Sequence, residues 1–103
     1  MRVVNIEDFD DNGEPYVYIG RGCGRFAGSK WRNVFYIGQH GTRKEVIEKY
    51  RIWLHSNSAL MSQLMELDGK ILVCHCKPKP CHGDVLVETI ENKKILDTVF
   101  KDI

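Results

Sequence analysis

At 103 residues, with 43% hydrophobic and 28% charged side chains and a formal net charge of +1, the chain has the make-up of one globular domain, residues 1–103, with a core of its own. The balance excludes the disordered class, and no run approaches the roughly 20 apolar residues of a membrane-spanning helix. The charge also lacks the basic excess of a duplex nucleic-acid binder.

With no signal peptide at the N-terminus, the expected setting is cytoplasmic, where thiols stay reduced. The four cysteines are therefore read as thiols, metal ligands or small core residues. A homo-oligomeric state is compatible with this make-up.

In chain order, residues 1–6 read as a strand through the β-branched Val3, Val4 and Ile6. A polar turn follows at residues 7–15, with Asp11-Asn12-Gly13 at its tip. Residues 16–20 form a second strand, running into a turn where Gly20, Gly22 and Gly24 allow sharp bends and close approach to a ligand. Arg21, Arg25, Lys30 and Arg32 follow with no acidic residue among them, a local stretch suited to an anion. The long connection 26–39 contains Lys30, Trp31 and Asn33, and a connection of this length in a small domain is more often functional than idle.

A helix then starts cleanly, with Thr42 as N-cap and Glu45 completing a capping box. Val46, Ile47, Tyr50, Trp53 and Leu54 keep helical spacing to His55. A shorter amphipathic helix carries Leu60, Met61, Leu64 and Leu67 and ends at Asp68-Gly69. Residues 70–76 form the strongest strand; Ile71, Leu72 and Val73 in succession point to burial on both faces, as in a parallel sheet. Helical spacing resumes at Val85, Leu86, Thr89 and Ile90, and again at Ile95, Leu96, Val99 and Phe100, predicting two last helices, the second over 94–103. The expected fold is a small three-layer α/β unit with a short, mostly parallel sheet of three or four strands.

The chemistry concentrates at the break between that last strand and the helix after it. Residues two apart on a strand share a face, so Cys74 and Cys76 face alike and His75 faces opposite. Cys74 is read as core, leaving the 76–84 half of the loop toward a site. Three functional readings stay open. The first is zinc, held by Cys74, Cys76, Cys81 and His82; the donors are soft enough, but all fall within one short loop rather than tying distant segments together. The second is catalysis, with Cys81 as a nucleophile favoured by the helix N-terminus and His82 and Asp84 beside it. The third is anion binding by the free N–H groups at Gly83, Asp84 and Val85, with Arg21 and Arg43 as counter-charges. A structural reading makes the cysteines core residues and Asp84 a helix cap.

These residues resemble the bacterial and phage family known as domain of unknown function 4326. The matching stretches are YIGRG at residues 18–22, SKWRNVF at 29–35, GTRKEVIEKYRIWL at 41–54 and GKILVCHCKPKPCHGDVL at 69–86. Arg32 and Val34 stand where the family has glycine and proline, and His75 stands where it has an aromatic residue. The last motif is also similar to the ending of another uncharacterised α/β family, which implies a Rossmann-like arrangement. The resemblance implies a shared pocket formed by Arg21, Lys30, Asn33, Thr42, Arg43, Cys81, His82 and Asp84.

Together these readings lead to an expected nucleotide or phosphorylated nucleoside as ligand, with no cofactor beyond the open question of zinc. Arg21 and Arg43 would neutralise the phosphate, and the amides of Gly83, Asp84 and Val85 would donate to it. Trp31 would stack on a base, and Asn33 and Asp84 would read polar edges; Gly22, Lys30 and Thr42 complete the expected ligand-binding residues. The alternatives are an enzyme using Cys81 or Asp84 on a glycosidic or phosphoryl bond, and a zinc-stabilised protein-interaction module.

Overall fold

The computed structural model describes residues 1–101, with side chains to residue 99. Its elements are β1 (Arg2–Asn5), β2 (Tyr16–Tyr18), α1 (Arg43–Ser56), α2 (Ser58–Gln63), a 3₁₀ turn (Leu64–Leu67), β3 (Ile71–Cys74) and α3 (His82–Lys101). The sheet has three strands in the order β1-β3-β2, and both outer strands run parallel to β3. Val3 and Val17 each pair with Leu72 across the ladder. All four residues of β3 are buried, as its unbroken apolar run requires.

Local signals explain most element ends. Thr42 Oγ1 accepts the Glu45 N–H while the Glu45 carboxylate accepts the Thr42 N–H, so the capping box is complete. Asn57 caps α2 through the Leu60 N–H. The chain turns into β3 at Gly69, whose φ of 77° is the left-handed conformation that favours glycine.

The α/β expectation holds, with a difference in the layers. Helical residues Tyr50, Leu54, Leu60, Leu64, Val85, Leu86 and Ile90 pack with Leu72 and Cys74 in the larger core, flanked by Val3 and Val17. Tyr18, Ile71 and Val73 form a second cluster, covered by Phe9, Phe26 and Ile6. The third layer is thus made of aromatic loop residues and not of helices. Its cause is the connection from β1 to β2, which must return along the sheet to begin a parallel strand and does so without a helix.

The two last helices expected from spacing are one continuous α3, because no glycine or proline interrupts residues 84–101. Ile95, Leu96 and Val99 are exposed on its far half. The Phe100 side chain and residues 102–103 of the predicted helix lie outside the described residues. Among the described residues, no helix is long and apolar enough to cross a membrane.

Candidate functional site

A cavity of about 330 Å³ opens at the carboxyl edge of the sheet, the place where open α/β sheets bind ligands. Four segments build it. Gly20 and Arg21 follow β2; His75 and Cys76 follow β3; Arg43, Val46 and Ile47 come from the start of α1; and Cys81 and His82 come from the start of α3. The long connection closes it with Asn33, Phe35, Tyr36 and Ile37. Its lining includes two guanidinium groups and no carboxylate.

The arginines are positioned by backbone carbonyls. Arg21 donates to the carbonyls of Asn33 and Phe35, both at 2.9 Å, and its guanidinium lies 4.0 Å from the Tyr36 ring centroid. Arg43 donates to the Pro80 carbonyl at 3.1 Å. A guanidinium carries five N–H donors, so each arginine keeps donors for a ligand. Asn33 shapes the loop: its amide donates to the Val46 carbonyl and its oxygen accepts the Phe35 N–H.

His82 is nine-tenths buried, and burial pulls its pKa down to about 4. The neutral ring donates Nε2–H to the Ile19 carbonyl at 2.7 Å, because a carbonyl oxygen can only accept. Nδ1 is then an acceptor. The His82 side chain lines the cavity. On the other side of β3, burial pushes the Tyr18 phenol up to about 12. Its proton goes to the Arg21 carbonyl, leaving His75 to donate Nε2–H to the phenol oxygen at 2.7 Å.

Three thiols meet beneath the cavity. Cys74 is buried in the core at 1% exposure, and Cys81 Sγ lies 3.8 Å from its sulfur. Cys76 and Cys81 both line the cavity. Cys81 gives up its proton least readily, because its S–H is engaged with the neighbouring sulfurs, Cys74 first, and it is buried. The Cys76 thiol is held below the usual range, first by the Cys81 thiol and then by the Arg43 guanidinium, against the opposing effect of burial. The split between Cys74 and Cys76 arises where the strand stops: Cys74 is the last residue of β3, and Cys76 lies two residues beyond it.

The remaining predicted site residues lie elsewhere. Trp31 is 1% exposed within the helical core, and its carbonyl accepts the Tyr50 hydroxyl at 2.8 Å; as placed it cannot stack on a base, and the aromatic wall is instead Phe35 and Tyr36. Lys30 pairs with Glu66 at 2.6 Å and with Gln63, away from the cavity. Gly22 packs its backbone against Gly28. Thr42 is occupied as the α1 cap.

The first turn of α3 is closed by its own cap. Asp84 accepts the Cys81 N–H at 3.1 Å, and the Asp84 N–H returns to the Cys81 carbonyl. Of the expected phosphate cradle, the Asp84 N–H is thus spent within the chain. Asp84 also pairs with Lys77 and lines a different groove, with Arg2, Glu88 and Glu91. As for zinc, His82 Nε2 is committed to Ile19, and no group of three or more His, Cys, Asp or Glu among the described residues is arranged to hold a metal.

Asn5, Phe35, Tyr36, Ile37 and His75 were missed from sequence. Asn5, at the end of β1, holds the thiol loop by donating to the carbonyls of His75 and Lys77 at 3.3 and 2.7 Å. A polar residue at the end of an apolar strand was the signal available. The adjacent Phe35, Tyr36 and Ile37 in a loop were another.

The fold and cavity define a small α/β protein with an arginine-bearing pocket at the carboxyl edge of a parallel sheet. The chain belongs to the family described as "Domain of unknown function (DUF4326)", whose model matches residues 5–92. It is similar to a protein of Enterobacteria phage T4 described as an uncharacterized 12.4 kDa protein in the nrdA-td intergenic region, at 33% identity over 98% of this chain and 82% of that one. A second similar protein, the uncharacterized protein R718 of Acanthamoeba polyphaga mimivirus, is 37% identical over 70% of this chain and 64% of its own length. No solved structure gives a significant match.

Proposed function

We propose that the cavity binds a nucleotide or another phosphorylated nucleoside. The observation that carries the reading is charge: Arg21 and Arg43 line one cavity that no Asp or Glu lines, and two fixed cations without an anion favour an anionic ligand. The volume, about 330 Å³, falls at the small end of ligand pockets and suits a mononucleotide better than a larger cofactor. Phosphate oxygens would take the free donors of the two arginines. The base would lie against Phe35 and the 48% exposed Tyr36, and His82 Nδ1 would accept from a sugar hydroxyl or exocyclic amine.

Calorimetric titration with nucleosides and their mono-, di- and triphosphates tests this. Phosphorylated forms should bind, and Arg21→Ala and Arg43→Ala should each weaken binding about tenfold or more, the usual cost of one charge-assisted hydrogen bond. Equal affinity for nucleoside and nucleotide would sink the reading, as would binding by none of the panel.

A further inference from the structure

We propose that Cys76 and Cys81 form a dithiol redox site in which Cys76 reduces a hydroperoxide entering the cavity and Cys81 resolves the product as a disulfide. The proposal rests on placement. Cys76 lies two residues past the core Cys74, where the chain has left the sheet; it is half-buried and lines the cavity. Cys81, at 2% exposure, lines the same cavity from the start of α3. An accessible sulfur backed by a shielded one is the arrangement that attack followed by resolution requires. The exposed Cys23 belongs to a separate turn, where its N–H donates to the Phe26 carbonyl.

The chemistry balances as follows. The Cys76 thiolate attacks the terminal oxygen of the hydroperoxide, the O–O bond breaks, and the departing alkoxide takes a proton and leaves as an alcohol. Cys76 becomes a sulfenic acid. The Cys81 sulfur then attacks the Cys76 sulfur; the S–O bond breaks and hydroxide leaves as water with the Cys81 proton. The peroxide is reduced by two electrons and the two thiols are oxidised to one disulfide. A small thiol returns the pair to the reduced state by exchange.

Arg43 has a part in each half. Its guanidinium lines the cavity with Cys76 and helps hold it as thiolate, and a cation at that point favours the negative charge that develops on the departing oxygen. Cys81 keeps its proton until its own turn, since its S–H donates to the Cys74 sulfur and it is buried. This site does not depend on the nucleotide reading, because the assay below contains no nucleotide and either can fail alone.

The test is one equivalent of hydrogen peroxide on the reduced full chain, followed by alkylation of remaining thiols and peptide mapping by mass spectrometry. The expected product is a Cys76–Cys81 disulfide, formed at least about tenfold faster than free cysteine is oxidised, as befits a thiolate-stabilised site. Cys76→Ser should abolish fast peroxide consumption, and Cys81→Ala should leave a Cys76 sulfenic acid that dimedone traps. A Cys74–Cys81 disulfide, preferential oxidation of Cys23, or oxidation no faster than free cysteine would each overturn the proposal. The wild-type map decides the matter even if the Cys81 variant fails to fold.

Discussion

The His82 imidazole donates Nε2–H to the Ile19 carbonyl across 2.7 Å, tying the first turn of α3 to the residue after β2. The bond itself favours the protonated ring, but burial outweighs it and keeps the imidazole neutral, which couples the carboxyl edge of the sheet to pH. In the unfolded chain the imidazole protonates as pH falls through about 6.5; in the folded protein it does so only near about 4. The unfolded state therefore binds the extra proton between those values, and stability falls as pH drops through that window.

The loss from this one group approaches about 3 kcal/mol at its acid end. Urea unfolding midpoints at neutral pH and near pH 4 measure it. His82→Gln should flatten the slope across the window while lowering stability at neutral pH. An unchanged slope would remove His82 as the cause.

Gly83→Ala tests how closely α3 approaches the sheet. A Cβ there would lie 2.9 Å from Ile19 Cδ1 and 2.9 Å from Val3 Cγ1. Alanine gains about 1 kcal/mol of helix propensity over glycine, but overpacking of this kind typically costs about 1–3 kcal/mol. Net destabilisation by chemical denaturation is expected, and a stabilised variant would contradict the close contact.

Trp31→Ala should behave as a core mutation. Its ring fills the space between the helices and Ile19, and deleting a buried tryptophan costs about 3–5 kcal/mol. Thermal denaturation should show the loss with no ligand present. Were Trp31 a stacking residue, ligand affinity would fall at unchanged stability.

Thr42→Ala removes one half of the α1 capping box and should cost about 1 kcal/mol. Thr42→Ser restores the oxygen that accepts the Glu45 N–H and should recover most of it. Denaturation midpoints of the two variants provide the comparison.

What was legible in the sequence was local. The Thr42–Glu45 box, the break at Gly69 and the apolar run that buries β3 depend on residues within a few positions of one another. The misreadings arose where a distant segment decides which way a side chain turns. Trp31 looked available because it sits in a long loop rich in basic residues, yet Tyr50, nineteen positions away, receives that loop into the core. Gly83 looked like a phosphate cradle, but the close neighbours are Val3 and Ile19. Asp84 looked like a site carboxylate until its capping bond and Lys77 accounted for it. Arg21 and Arg43 meet at one cavity because cationic residues flanking strand ends and helix starts collect at the same sheet edge whatever the loops between them do.

The strand order has a consequence for how the protein is made. β1 and β2 leave the ribosome first, yet each pairs only with β3. Until residues 71–74 have been synthesised, both early strands have no ladder to join, so the sheet forms in one late step and not strand by strand. Nascent chains arrested before Ile71 should stay protease-sensitive throughout, while those extended past α3 become resistant in β1 and β2 together. The thiol loop and its cavity come into being in that same step.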